Sequence, residues 1–341
     1  MGRWVVEWIG KCRSVRLHYP SIPFPPIPSS SISDSPFSVS TLSSPHSISG
    51  LDLWQWRIEA RQQAIAATVP ITELDWLLEE IADLDRLSLR LETFKERSHI
   101  PLKIPFADLQ QRWQQRLQER VPIQYLAGET PWRHLTLRVA PGVLIPRPET
   151  EGIVDLVLAA MRDRDPSLAQ GHWADLGTGS GAIAIGLADA LPNATIHAVD
   201  FSEDALAIAQ HNAQTLGFSH RIRFYQGSWF DPLSYLKGQL SGMVSNPPYI
   251  PSHLIPTLQP EVQHEPHLAL DGGTDGLDAI RHLVAIAPHS LKPGAIWVIE
   301  MMAGQADAVT QLLQQNGHYD SIQVHPDLAG IERFALAYLK K

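Results

Sequence analysis

From about residue 148 to the C-terminus the chain keeps switching its hydrophobic period. "HWADL" is an apolar run of strand length, and "SGAIAIGLADAL" after it reads as a helix. "ATIHAVD" is strand-like again, and "SEDALAIAQHNAQTLG" runs as a helix from Ser202 to Gly217, with a capping serine before it and a glycine behind. "RIRFYQ", "LSGMVS" and "AIWVIE" follow as strands with helices between them, and "YDSIQVHP" and "ERFALAYL" close the chain. Strand and helix in alternation require a mostly parallel sheet with crossovers on both faces, a doubly wound α/β fold. The last two strands have no helix between them, so one of them is expected to run antiparallel. In such a sheet ligands gather at the carboxyl ends of the strands.

The rest of the chain is organised differently. Residues 51–125 carry helical patterns: "TELDWLLEEIADL" opens with Thr72 as the expected N-cap, and Leu109, Trp113, Leu117 and Val121 fall on one helix face. A small domain of about four helices is expected there, its tryptophans in the core. Residues 126–147 alternate and turn like a hairpin linker, and the sheet domain takes 148–341. Residues 1–50 end in a Ser/Pro tract whose only formal charge is Asp34, too poor in apolar residues to offset its ordering entropy, so disorder is expected. The head before the tract is Arg- and Ser-bearing and poor in acids, as an organellar transit peptide is, and a misassigned start accounts for it equally.

Composition narrows the function classes. A 341-residue chain with 44% hydrophobic and 18% charged residues can bury a substantial core. A net charge of -9 speaks against gripping nucleic acid chiefly through its phosphates. Cys12 is the single cysteine, which excludes an internal disulfide framework and a thiolate zinc cluster and suits a reducing, cytoplasmic setting. No apolar run is long enough to span a bilayer.

Two strand ends carry a nucleotide-like signal. In "DLGTGSGA", Gly177, Gly179 and Gly181 permit a tight turn and close backbone approach at a helix N-terminus, with Thr178 and Ser180 between them. The same residues satisfy a dinucleotide fingerprint, and a merely structural turn would read alike. Asp200 ends the next strand where a carboxylate could accept both hydroxyls of a ribose, which fits NAD and S-adenosylmethionine equally. A helix-capping role for Asp200 is the plain alternative, although Ser202 is better placed for it.

The third strand end separates these readings. "VSNPPYIP" follows the apolar residues Leu240, Met243 and Val244, and its prolines stop further strand pairing. An amide or exocyclic amine is a poor nucleophile because its lone pair is delocalised. An enzyme can help by fixing that nitrogen in line with a methyl group while oxygens accept both its N–H bonds. The Asn246 side-chain oxygen and the Pro247 carbonyl, stiffened by Pro248, are two such acceptors. Tyr249 adds a flat face for a planar group. A dehydrogenase has no use for this arrangement.

Asn-Pro-Pro-Tyr after a "DLGTGSG" loop resembles class I S-adenosylmethionine methyltransferases acting on planar amines. "VPIQYLAGE", "VLIPRPETE", "SNPPYIP", "EPHLALDGGTDGLD" and "DLAGIERF" narrow the resemblance to the HemK/PrmC family, from about Trp54 to the C-terminus. That resemblance implies a Rossmann-like fold with a seven-stranded sheet and a small N-terminal helical domain. It implies methyl transfer from S-adenosylmethionine to the side-chain amide (N5) of a glutamine in peptide chain release factors, by a monomer that meets neither nucleic acid nor membrane. It implies further that Gly177, Thr178, Gly179, Ser180 and Gly181 line the donor, Asp200 its ribose and Trp229 its adenine. Asn246, touching the donor as well, would orient the acceptor amide with Pro247, Pro248 and Tyr249.

The chain departs from the family at Ser241 and Gly242, where an acid and an aliphatic residue are usual, so an irregular start to that strand is expected. Met301-Met302 replaces Ile-Gly after Glu300, and Trp132 replaces a phenylalanine. His264 and His267 read as loop histidines rather than metal ligands, because Pro266 breaks the helix a chelating pair would need. Arg147 and Glu149 read as a linker ion pair or as a wall of the acceptor pocket. Two other functions compete, an adenine-N6 methyltransferase on DNA or RNA and a non-catalytic S-adenosylmethionine-binding module.

Overall fold

The computed structural model of the chain describes residues 46–341, so the expectation for residues 1–45 lies outside the described residues. Within them the chain divides into two compact units at Glu119 and Arg120.

The first unit is helical: α1 (Gly50–Ala66), α2 (Ile71–Ile81), α3 (Arg86–Leu91) and α4 (Phe106–Gln118), with β1 (His46–Ile48) paired antiparallel to β2 (Ile100–Leu102). Leu53, Leu74, Leu77, Leu78, Phe94, Leu109 and Trp113 are completely buried, and Trp113 donates to the Ala60 carbonyl. Arg116 and Glu73, also buried, make a two-pronged ion pair at 2.5 and 3.0 Å. Three expectations are corrected here. Residues 46–50 are not part of a disordered extension: His46–Ile48 has a strand partner, and Ser49 caps α1 by accepting from the Asp52 N–H. Thr72 is not an N-cap, since α2 starts after Pro70, whose fixed φ sets the entry, and Asp75 pairs with Arg57 instead of closing a capping box. Val121 is not on α4, which stops at Gln118; Arg120 turns left-handed (φ 61°) and Pro122 follows.

The second unit opens with a short helix, α5 (Ile123–Ala127), ended by the left-handed Gly128, and the hairpin of β3 (Glu129–Trp132) and β4 (Leu135–Arg138). The hairpin is more than a connector, because Trp132 and Leu137 are buried in the core of this unit. The helices are α6 (Gly152–Arg164), α7 (Ala182–Ala190), α8 (Glu203–Thr215), α9 (Asp278–Ile286) and α10 (Ala306–Asn316). The strands are β5 (Gly171–Leu176), β6 (Ala194–Asp200), β7 (Ile222–Gln226), β8 (Leu240–Ser245), β9 (Leu291–Glu300), β10 (Tyr319–Pro326) and β11 (Glu332–Leu339). They form one seven-stranded sheet in the order β10-β11-β9-β8-β5-β6-β7. All neighbours are parallel except β11, which runs antiparallel to both β9 and β10. The mixed C-terminal edge is the one expected of two strands joined without a helix.

Each sheet face buries its own apolar layer. One packs Ile153, Val154 and Val157 of α6 with α7; the other packs Ile280 and Leu283 of α9 with Val309 and Leu313 of α10. The start of β8 is irregular, with register shifts between Leu240 and Gly242 and between His172 and Trp173. A Cβ at Gly242 would lie 2.4 Å from the buried Trp173 ring, so the large indole on β5 takes the room a side chain would need on β8. Trp132, the aromatic departure, is buried and donates its indole N–H to the Arg147 carbonyl.

Candidate active site

Strand order reverses between β5 and β8, and a crevice opens at such a point beyond the strand ends. The register decides what stands there. Leu176 is level with Val199 on β6 and Ser245 on β8, and Ser245 with Ile299 on β9. One residue further along each strand gives a row of Asp200, Gly177, Asn246 and Glu300. Residues scattered over more than a hundred positions are thus neighbours because four parallel strands stop together.

The Gly177–Gly181 loop is shaped by its backbone. Gly177, Gly179 and Gly181 all have positive φ (77°, 55° and 83°), where side chains are strained. The N–H groups of Gly177 and Thr178 both donate to the Val199 carbonyl, anchoring the loop to the neighbouring strand. A Cβ on Gly177 would reach 3.6 Å from the Trp229 ring and 4.0 Å from the Asn246 carbonyl oxygen, so the bare glycine keeps the crevice floor open. Thr178 and Ser180 are buried, and Thr178 donates to Asp175 at 2.6 Å. Asp175 also accepts the Ala184 N–H, and burial pushes its carboxyl up to about 7. It ties the loop to α7, a role the sequence reading did not assign.

Asp200 accepts the Gly179 N–H at 2.8 Å and the Ser202 N–H at 2.9 Å. Ser202, not Asp200, caps α8 through the Ala205 N–H. Burial holds the Asp200 carboxyl above its ordinary range, opposed by those two donors. Trp229 follows β7 in a left-handed conformation (φ 45°), an unusual backbone for a bulky residue, with its ring half-buried over Gly177.

Asn246 donates through Nδ2 to Thr150 Oγ1 at 3.3 Å. Among the described residues nothing donates to Asn246 Oδ1 or to the Pro247 carbonyl oxygen. Pro247 is buried and Pro248 half-buried. Tyr249 donates its hydroxyl to Glu300 Oε1 at 3.1 Å, while its carbonyl accepts from Gln305 Nε2 at 3.1 Å. Burial pushes the Tyr249 phenol far up, so it stays protonated, a donor. The turn is further braced by Asp271-Gly272-Gly273, through the Ile250–Asp271 bridge and the bond from Ser252 N to the Gly273 carbonyl. Gly276 comes so close that a Cβ there would sit 2.2 Å from the Tyr249 carbonyl oxygen.

Thr150, Glu300 and Gln305 were missed in the sequence. Glu300 carried a readable signal, a carboxylate closing an apolar strand; Thr150 and Gln305 carried none, since the site residues they bind lie 96 and 56 residues away. Arg147 pairs at 2.5 Å with the buried Glu265, which also accepts the Ile145 N–H, so of the two residues read as a linker ion pair Arg147 makes one, with Glu265.

A methyltransferase-domain family model matches residues 170–260, from β5 to beyond the Asn246 turn. The seven-stranded sheet, the glycine loop at its first strand end and that match define a Rossmann-like methyltransferase. A release factor glutamine methyltransferase of Synechocystis sp. is 52% identical over 291 residues, 85% of this chain and 97% of that protein. Its namesake in Thermosynechococcus vestitus is 52% identical over 268 residues (78% and 90%), and that of Gloeobacter violaceus 44% over 290 (83% and 96%). The chain belongs to the release factor glutamine methyltransferase family.

Proposed function

We propose that the chain methylates the side-chain amide nitrogen (N5) of a glutamine in peptide chain release factors, and that Asn246 to Tyr249 hold that amide. The observation that carries the reading is the pair of open acceptors at the end of β8. Asn246 has its amide N–H₂ engaged by Thr150, which leaves Oδ1 free to accept, and the Pro247 carbonyl beside it is also unengaged. A primary amide has two N–H bonds to place, and two fixed oxygens orient its nitrogen without solvent reorganisation.

The crevice suits S-adenosylmethionine. Gly177 leaves open the space a Cβ would fill, Asp200 is a carboxylate fixed by two backbone donors, and the Trp229 ring stands over the loop. Gly177 to Gly181, Asp200 and Trp229 would hold the donor, with Asn246 at the boundary between donor and acceptor. When bound, the donor supplies an electrophilic methyl group on a sulfonium. Asn246 and Pro247 fix the nitrogen that receives it, and Tyr249, anchored by Glu300, supplies the flat wall.

A protein substrate also agrees with the net charge of -9, and among the described residues no helix is long and apolar enough to cross a membrane. A cytoplasmic monomer is part of the proposal. The test is transfer of radiolabelled methyl from S-adenosylmethionine into purified release factors, DNA and RNA in parallel. Label should enter release factors and disappear when the acceptor glutamine is replaced by alanine; label in DNA or RNA alone would replace this reading with the adenine one.

A further inference from the structure

An asparagine amide can face a crevice with either end outward, and an acceptor clamp works only with the oxygen outward. Two groups behind Asn246 bear on that choice, Thr150 and Glu300, which are 3% and 1% exposed. Thr150 Oγ1 accepts from Asn246 Nδ2, so its own hydroxyl proton must go elsewhere. Glu300 stands beside Asn246 in the row of strand ends, because Ile299 is level with Ser245. One of its oxygens takes the Tyr249 hydroxyl; the other, Oε2, is buried without a hydrogen-bond partner. Burial raises the Glu300 carboxyl to about 7, while the nearby Thr150 hydroxyl, the Arg333 guanidinium and the Tyr249 hydroxyl favour its ionised form. A buried hydroxyl that has to donate and a buried oxygen that has to accept therefore lie together, and leaving either unmatched would be costly.

We infer that Glu300, acting through Thr150, fixes the rotamer sense of the Asn246 amide with Oδ1 toward the acceptor, and holds Tyr249 at the same time. Above about pH 7 Glu300 is ionised, and an ionised carboxylate can only accept. Thr150 must then donate toward it, which turns a lone pair to Asn246, which in turn must point its N–H₂ inward. The direction of every bond follows from the one group that cannot donate. Glu300 and Thr150 are positioning residues for the methyl acceptor, and this inference rests on the clamp reading of Asn246.

The experiment uses the full chain above about pH 7, where Glu300 is ionised, with a purified release factor and radiolabelled S-adenosylmethionine, reading kcat, both KM values, and donor Kd by calorimetry. Thr150→Val keeps the shape and removes the hydroxyl. Its kcat should fall roughly tenfold or more, the scale of one lost oriented hydrogen bond, with donor Kd and release-factor KM little changed. Thr150→Ser should recover most of the loss. Glu300→Gln should fall likewise, because its amide can donate to Thr150 and reverse the chain; if that variant does not fold, the valine and serine pair decides. Asn246→Ala is the reference. If it is inactive while Thr150→Val turns over at the wild-type rate, this inference is overturned and the clamp stands. Wild-type turnover by Asn246→Ala overturns both.

Discussion

The proposed donor and acceptor halves of the crevice stand side by side on one sheet yet are built on different principles. The donor half is made of backbone. Its loop is shaped by three positive-φ glycines, its anchors are N–H bonds to the Val199 carbonyl, and its carboxylate, Asp200, lies 21 residues from the Gly179 it binds. The acceptor half is made of buried side chains from distant segments, with Asn246 on Thr150, Tyr249 on Glu300 and Gln305 on the Tyr249 carbonyl, at separations of 96, 51 and 56 residues. A backbone cradle tolerates changes in the side chains around it. A side-chain network is directional, so removing one member leaves its neighbours buried and unpaired. Substitutions in the acceptor half should therefore cost turnover, and those in the donor half should cost affinity.

The largest expected effect tests that division most directly. Asn246→Ala should lower kcat on the order of 10²–10³-fold while donor Kd by calorimetry stays near wild type, as for one preorganised partner in a transition state. Asn246→Asp should be equally poor, since it loses the donor to Thr150 and adds a carboxylate beside the buried Glu300. Substantial activity in the aspartate variant would show that the Thr150 contact is dispensable.

Next comes the reverse case. Asp200→Ala should weaken S-adenosylmethionine binding by roughly 1.5–3 kcal/mol, the scale of charge-assisted hydrogen bonds. Its kcat at saturating donor should stay within a few-fold of wild type. Unchanged donor affinity would reduce Asp200 to a brace for the Gly179 and Ser202 N–H groups.

Each half also buries a carboxyl raised to about 7, Asp175 from 3.8 and Glu300 from 4.5. Glu300 faces the Tyr249 and Thr150 hydroxyls, the Arg333 guanidinium and the Glu149 carboxylate; Asp175 faces the Thr178 hydroxyl and the Asp200 carboxylate. The fold favours the neutral form of both, so their contribution to stability is complete below the ordinary carboxylate values and is lost as pH rises through about 7. Melting temperature should decline over that interval by several degrees or more. Glu300→Gln and Asp175→Asn should each flatten part of the slope. A wild-type curve that instead rises through neutral pH would show both groups ionised at no cost.

The smallest effect is a control that neither half should feel. A chain starting at His46 should keep its melting temperature and turnover, whereas one starting at Leu51 loses β1 and the Ser49 cap. The second should be less stable by about 1 kcal/mol, the usual worth of an N-cap. Equal melting temperatures would show that β1 contributes nothing.

The sequence alone determined the seven strands, their alternation with helices, the antiparallel C-terminal edge and the residues that end β5, β6 and β8. All of these rest on short-range signals: a hydrophobic period, a capping serine, glycines where φ must be positive, prolines that stop a strand. Legibility failed where a local rule met a tertiary competitor. Thr72 satisfies a capping pattern, yet Pro70 starts the helix and Arg57 takes Asp75. Gly242 reads as a weak point in a strand, and only the packed sheet shows the Trp173 ring that excludes any larger residue. Most of the acceptor half belongs to this second kind. Thr150 is one polar residue in "RPETE" and Gln305 one in a turn, and nothing near either hints at its distant partner, Asn246 or the Tyr249 carbonyl. Their roles arise when strand register sets Glu300 beside Asn246 and the fold carries the Thr150 segment over both. A hydrogen bond between distant residues leaves no periodic trace in the chain, because its energy depends on a meeting that only the packed sheet arranges.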